Sequence, residues 1–283
     1  MKSGFVVLIG RSNVGKSTLM NTLVGTKISA VTHKPQTTRQ AIHGVLNRPE
    51  GQIIFVDTPG VFKNAGGALT KTLTKTVEES LEGVDVILYV VDPTRAIGPE
   101  ERATLAMVRK IEQPKILVIN KIDMPERDKP FLEDYRALAD EFTSVFELAA
   151  LRARHVEPLI EYLYTLLPKG EPAYPEEQKT NITDHVWIAE IIREKIFLLT
   201  EQEVPYSTHV EVDETEDRNE HLVITARILT TEPRYKKMLI GHGGKKIKEI
   251  GMAARRELEA STNKKIYLDL QVEVDAHWVE RLG

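Results

Sequence analysis

The chain has 283 residues, long for one core and comfortable for two, so two domains are expected. Charged residues make up 28% and hydrophobic residues 41%, the profile of a soluble globular chain and not of a disordered one. The absence of cysteine excludes disulfide frameworks and thiolate metal sites and favours an intracellular setting. Met1-Lys2-Ser3-Gly4 runs straight into a strand-like stretch, so no signal peptide is expected. The longest apolar stretches, Val84–Val91 and Ile116–Ile119, are too short to span a bilayer, so any membrane contact is expected to be peripheral. The net charge of −4 is uneven: Pro233–Lys265 holds ten basic residues against Glu249, Glu257 and Glu259, which is +7, and leaves −11 elsewhere. Such a block points to a polyanionic partner or to a solvated basic helix.

In chain order, Phe5–Ile9 reads as a buried strand, followed by a glycine-bearing loop and a helix over Lys16–Val24. Ile53–Val56, Val86–Val91 and Lys115–Ile119 read as further buried strands, and Pro99–Lys110 and Phe131–Glu141 as helices between them. This alternation predicts an α/β domain with a mostly parallel sheet covered on both faces. A closing helix is expected over Val156–Leu167. Pro168, Pro172, Pro175 and Gly170 then mark a linker, with the boundary near Gly170. Beyond it, His185–Thr200 reads as a helix with Ile188, Ile192, Ile196 and Leu199 on one side. His221–Thr230 reads as a strand, and Ile266, Leu268, Leu270, Val272 and Val274 alternate with polar residues, as in a strand with one buried face. The second domain is expected to be smaller and α+β.

Gly10-Arg11-Ser12-Asn13-Val14-Gly15-Lys16-Ser17, continued by Thr18, matches G-x-x-x-x-G-K-[ST] between a strand and a helix. Backbone N–H groups of such a loop cradle phosphates, Lys16 reaches the β- and γ-phosphates, and Ser17 offers its hydroxyl to Mg²⁺. Asp57-Thr58-Pro59-Gly60 ends the next strand, where Asp57 can hold Mg²⁺ through water and Gly60 can sense the γ-phosphate. Asn120-Lys121-Ile122-Asp123 ends another. A carboxylate at Asp123 accepts from guanine N1–H and the exocyclic amine, a donor pair adenine lacks. Asn120 is expected to bind the base edge or tether the P-loop, and the Lys121 stem to lie along the ring.

The order of these motifs, with Gln36-Thr37-Thr38-Arg39 between the first two, resembles the Era family of TRAFAC-class GTPases. The resemblance implies GTP/GDP and Mg²⁺ as ligands and slow hydrolysis. It also implies that Thr38, with Thr37 close behind, binds Mg²⁺ and closes over the γ-phosphate. Lys16, Thr38 and Gly60 are the residues expected to act on the reacting phosphate, and Ser17, Thr38 and Asp57 to hold the metal. Asn13 matches relatives in which K⁺ supports catalysis. Arg11 is expected to be solvated, an internal arginine finger being the alternative. Val61 stands where Ras-like proteins carry a water-orienting glutamine. The guanine-closing loop reads Leu148-Ala149-Ala150-Leu151. Ala150 keeps the N–H that meets guanine O6, while Ala149 lacks the hydroxyl that usually steadies this loop, so reduced nucleotide affinity is expected.

Ile240-Gly241-His242-Gly243-Gly244 precedes Lys245-Lys246-Ile247-Lys248, a G-x-x-G turn between basic helices. Glycine lets a nucleic-acid backbone approach, and helix N–H groups and lysines meet its phosphates. This half resembles a type II KH domain. Gly241, His242, Gly243, Gly244, Lys245, Lys246 and Lys248 are its expected RNA contacts. Likeness to Era continues through Tyr174–Glu177, Ile182–Asp184, Glu190–Lys195 and Val204–Ser207. It implies a G domain over 1–170, a linker over 171–182 and a KH domain over 183–283. It further implies a cytoplasmic monomer that binds single-stranded small-subunit (16S) ribosomal RNA near its 3′ end. Its implied role is to assist small ribosomal subunit assembly, with peripheral contact at the cytoplasmic membrane. Gln271 and Glu273 replace the family's tryptophan and lysine, and the chain stops soon after Trp278, so weaker RNA binding is expected. Trp278 is read as a core cap. Two alternatives stand beside this reading: an RNA chaperone with GTP as a structural ligand, and a GTPase acting at a membrane surface.

Overall fold

Near-continuous apolar runs make strands that are buried on both faces, and six strands build the first sheet. They are β1 (Lys2–Ile9), β2 (Ile42–Arg48), β3 (Gly51–Asp57), β4 (Val86–Val91), β5 (Lys115–Ile119) and β6 (Ser144–Glu147). The computed structural model describes residues 1–34, 37–60, 75–77 and 79–282, in two units: Met1–Ser29 with Thr38–Asn181, and Ala30–Thr37 with Ile182–Gly283. The sheet order is β2-β3-β1-β4-β5-β6, parallel throughout except for β2, which pairs antiparallel with β3. Among the described residues, helices α1 (Lys16–Val24), α2 (Pro99–Arg109), α3 (Leu132–Arg136) and α4 (Glu157–Leu166) belong to this unit. Val7, Ile9, Tyr89 and Leu117 pack with Leu105 and Val108 of α2 and Tyr135 of α3 on one face, while α1 packs on β1, β2 and β3.

The helix expected over Phe131–Glu141 is broken. α3 ends at Arg136 and a 3₁₀ turn follows over Ala139–Glu141. Phe142 is extended, and the Thr143 N–H donates to Lys115 O at 2.8 Å, so the chain has already turned to lay β6 beside β5.

β2 is an edge strand, and the proline-rich stretch covers it. Asn47 Nδ2 donates to Glu176 O (2.8 Å) and Val45 N–H to Lys179 O (2.8 Å), while on β1 the Ser3 N–H donates to Pro168 O (3.1 Å). The fully buried Gln52 clamps the same stretch: its Oε1 accepts from Ala173 and Tyr174 N–H, and its Nε2 donates to Tyr174 O and Asn47. The His43 and Val45 N–H groups of this edge are thereby taken up by Asn181 Oδ1 and Lys179 O.

In the second unit, α5 (Asp184–Leu199) is capped by Thr183. It packs on the sheet β7 (Thr208–Arg218), β8 (His221–Thr230) and β9 (Lys265–Val274). β7 and β8 are antiparallel, with a bulge between Val212 and Glu214, and β8 and β9 are parallel. α6 (Pro233–Ile240) and α7 (Lys245–Thr262) carry the G-x-x-G turn between them. Ile188, Ile192 and Ile196 of α5, Ile250, Ala254 and Leu258 of α7, and Ile224, Ile266 and Val272 of the sheet share one core. The alternation of β9 holds to Val272, and Val274 is exposed. Trp278 is buried, donates from Nε1 to Ser207 O (3.2 Å) and stacks on His209, in keeping with a core cap.

Candidate nucleotide and nucleic-acid sites

The loops carrying the nucleotide motifs all leave the carboxyl ends of β1, β3, β5 and β6, where open α/β sheets place their ligands. Gly15 caps α1 in the left-handed region (φ 99°), and a Cβ there would lie 2.3 Å from Asn120 Nδ2. Because the cap carries no side-chain acceptor, the first-turn N–H groups of α1 face the loop's hollow. Lys16 lies in that hollow, its Nζ donating to Gly10 O (2.9 Å) and Arg11 O (3.1 Å). Burial lowers its pKa to about 8, against the pull of Asp57 and Glu101. A bound polyphosphate would restore the charge that burial disfavours.

Ser17, Thr38 and Asp57 are brought together. Ser17 Oγ donates to Asp57 Oδ2 at 2.6 Å, Ser29 Oγ does so at 3.0 Å, and Thr38 Oγ1 lies 3.5 Å from the same oxygen and 3.1 Å from Ser17 Oγ. Asp57 is fully buried, and its Oδ1 has no hydrogen-bond partner. Desolvation raises its pKa, while Lys16 and the three hydroxyls oppose the rise. An orphaned carboxylate oxygen among hydroxyls is an all-oxygen donor set, which fits Mg²⁺. Thr37 faces elsewhere: its hydroxyl bonds Thr32 (2.6 Å) and Lys34 O (2.9 Å). Gly60 sits beside the Ser12 backbone, while Gln36 and Val61 lie outside the described residues.

Asn120 takes the tethering role. Its Nδ2 donates to Val14 O (2.9 Å), and its Oδ1 accepts from Lys121 N–H (2.8 Å) and Ala150 N–H (3.0 Å). The Ala150 N–H, expected at guanine O6, is therefore engaged by the tether. Lys121, at φ 62°, spans from Asn13 O (3.0 Å) to Asp92 Oδ2 (2.5 Å). Asp123 has Arg152 as an ionic neighbour at 3.8 Å, a weak contact that a purine could displace. The Ala149 loop is held without a serine: Ala149 and Arg154 exchange backbone hydrogen bonds at 3.1 Å, and Thr22 Oγ1 donates to Ala150 O at 2.9 Å.

Arg11 is neither solvated nor poised as a finger. It is buried, with its Nε 3.1 Å from the fully buried Glu101 and its Nη1 donating to Ala96 O. Glu101 also accepts from Tyr89 and Tyr135. Burial and the Glu101 charge raise both phenol pKa values, so the hydroxyls stay donors. Sequence reasoning missed Asp92, Ser29, Glu101 and Thr22. Only Asp92 carries a signal, an acid at the carboxyl end of β4.

In the second unit, Gly241 (φ 72°) allows the turn to close on α7: a Cβ would lie 2.9 Å from Lys246 N. His242, Lys245 and Lys248 are exposed, and Lys246 pairs with Glu249 at 2.7 Å. Gly244 caps α7 without a side chain, and the first helical N–H, that of Lys245, donates to His242 O. Beside this helix start runs a groove of about 420 Å³ between α7 and β9, lined by Ile247, Lys248, Met252, Arg255, Leu268 and Leu270 among others. An apolar floor with cationic rims suits splayed bases beside a phosphate backbone. Of these lining residues, only Lys248 was expected from sequence as an RNA contact. Glu273, on the final strand, is engaged by Arg227 at 3.2 Å.

Two family profiles match, one described as a 50S ribosome-binding GTPase over residues 5–121 and one as a KH domain over residues 203–279. The chain is 41% identical to GTPase Era of Halothermothrix orenii over 100% of its own length and 96% of the relative's. It is similar in structure to an Era in complex with MgGDPNP and nucleotides 1506–1542 of 16S ribosomal RNA. That likeness has a TM-score of 0.91 and 36% identity and covers 99% of this chain and 96% of the other. A point variant of Aquifex aeolicus Era bound to GDP.AlF4⁻ gives a TM-score of 0.90 at 36% identity, over 99% of this chain and 96% of that one.

Proposed function

This chain belongs to the Era family of GTPases, and from that premise we propose a GTP-driven switch that binds 16S ribosomal RNA near its 3′ end. It assists small-subunit assembly, with the G domain over 1–170, the linker over 171–182 and the KH domain over 183–283. The observation that carries the reading is the convergence of Ser17, Thr38 and the orphaned Asp57 oxygen beside Lys16. Lys16 would hold the β- and γ-phosphates in place of the carbonyls it now bonds. Ser17, Thr38 and Asp57 would hold Mg²⁺, which when bound neutralises charge on the phosphates. Thr38 would close the site, and the Gly60 N–H would face the γ-phosphate. Asp123 would read guanine N1–H and the exocyclic amine. Hydrolysis is slow in this reading, with Asn13 supporting a K⁺ ion beside the phosphates.

The G-x-x-G turn, Lys245, Lys246 and Lys248 would grip RNA phosphates while bases enter the groove along β9. The protein acts as a cytoplasmic monomer, with a peripheral membrane contact through the basic face of α7. Among the described residues, no helix is long and apolar enough to cross a membrane.

The test is GTP turnover in K⁺ and Mg²⁺, with and without RNA matching the 3′ end of 16S ribosomal RNA. Stimulation by that RNA is expected, with lower rates in Na⁺. Asp123→Asn should weaken GTP at least about a hundredfold and admit xanthosine triphosphate. GTP turnover that no RNA alters, with basic-face binding only to anionic vesicles, would favour the membrane-surface reading.

A further inference from the structure

Thr22 lies on α1, outside every nucleotide motif, and its hydroxyl has two acceptors. One is Thr18 O at 2.9 Å, the back-bond a helical threonine usually makes. The other is Ala150 O, also at 2.9 Å and 128 residues away in the chain. The same carbonyl accepts from Ala153 N–H at 3.1 Å, and the Ala150 N–H is held by Asn120 Oδ1 at 3.0 Å. Both peptide planes flanking Ala150 are therefore fixed from outside the loop.

We propose that Thr22 is a positioning residue for guanine recognition. Its hydroxyl steadies from α1 a loop that carries no hydroxyl of its own at Ala149, and the N–H it orients is that of Leu151. In a planar trans peptide the C=O and N–H point opposite ways. Holding Ala150 O toward Thr22 therefore turns the Leu151 N–H away from α1. That N–H sits at the open start of the 3₁₀ turn Ala150–Arg152, where no intrahelical acceptor exists. Ala150 N–H is shared with Asn120 Oδ1, and Leu151 N–H is the further donor the loop offers to guanine O6. The loop needs this outside support because Ala153 (φ 50°) and His155 (φ 59°) hold left-handed conformations without glycine. The inference rests on the guanine reading of Asp123, and the measurement separates the two.

In the full-length protein, dissociation constants are measured for GDP, for inosine diphosphate and for 6-thioguanosine diphosphate. The first ratio reports on Asp123, because inosine lacks only the exocyclic amine. The second reports on the donor to O6, because sulfur is the weaker acceptor. Thr22→Val should weaken GDP about five- to tenfold and largely erase discrimination against the thio nucleotide. It should leave the inosine ratio unchanged, and Thr22→Ser should behave as wild type. Ratios are read on the folded fraction, so partial unfolding does not blur them, and Thr22→Ala provides a second hydroxyl-free variant. Wild-type GDP binding in Thr22→Val would overturn the proposal. So would an equal loss for all three nucleotides, which is the mark of a merely structural residue. Wild-type protein that binds GDP and inosine diphosphate alike, with Asp123→Asn silent, would fail the guanine reading and this inference with it.

Discussion

Arg11 sits inside the P-loop, and its guanidinium is paired with Glu101, the carboxylate that also accepts from Tyr89 and Tyr135. A fully buried carboxylate that loses its cation keeps the desolvation cost without the attraction. Arg11→Ala is therefore expected to lose about 3–5 kcal/mol of stability by urea unfolding. Turnover per folded molecule should stay near wild type. A large drop in turnover at unchanged stability would revive the arginine finger. Asn120 makes the complementary case. Asn120→Ala frees Val14 O, Lys121 N–H and Ala150 N–H together. A GDP affinity lower by tenfold or more is expected from calorimetry, since each lost bond costs about 1 kcal/mol. Unchanged affinity would mean the P-loop and the Ala149 loop hold their geometry without the tether. The motif residues were legible because phosphate, metal and guanine chemistry demand particular groups at particular spacings. Their mutual contacts were not. Whether Asn120 meets a base or a carbonyl depends on a chain path spanning a separation of 106 residues, which no local pattern encodes.

Among elements, α1, β4 and β5 were legible to the residue, since a short apolar run between breakers has few alternatives. β2 (Ile42–Arg48) was missed because as an edge strand it needs no continuous apolar run. β7 was missed because its second half, Asp213–Arg218, is charged and lies at the exposed end of a hairpin. The proline-rich stretch was read as a linker, and its attachment to β2 and Gln52 is tertiary. Gln52→Ala should test that attachment. Two N–H groups, of Ala173 and Tyr174, lose a buried acceptor, which costs about 1–3 kcal/mol each if no water replaces it. Limited proteolysis should then cut between Pro172 and Thr180 well before the rest of the chain. Equal cleavage rates in variant and wild type would show that the other bonds along β2 suffice.

For the whole molecule, connectivity carries more than contact. Residues Ala30–Thr37 belong to the second unit, yet Ser29 and Thr38 on either side of them bond Asp57 in the first. The Val31 N–H donates to Glu194 Oε2 at 2.8 Å. The Lys34 ammonium meets Phe197 O (2.5 Å) and Thr200 O at the end of α5, where the helix dipole favours a cation. Glu194 bonds Lys195 at 2.7 Å, and Lys195 pairs with Glu257 on α7, the helix that opens at the G-x-x-G turn. A switch needs one element biased by both ligands, and this segment is flanked on both sides by hydroxyls that bond Asp57 while Val31 and Lys34 at its middle bond α5. Lys34→Met removes the helix-end anchor and touches no proposed ligand contact. Its stability cost should be small, about 0.3–1 kcal/mol. RNA affinity is then measured with GDP and with a non-hydrolysable GTP analogue. Coupled sites typically differ by roughly five- to 150-fold between states, and in Lys34→Met that ratio should fall toward one while each nucleotide still binds. A ratio that stays at the wild-type value would mean that nucleotide state reaches the RNA groove by a route that bypasses this segment.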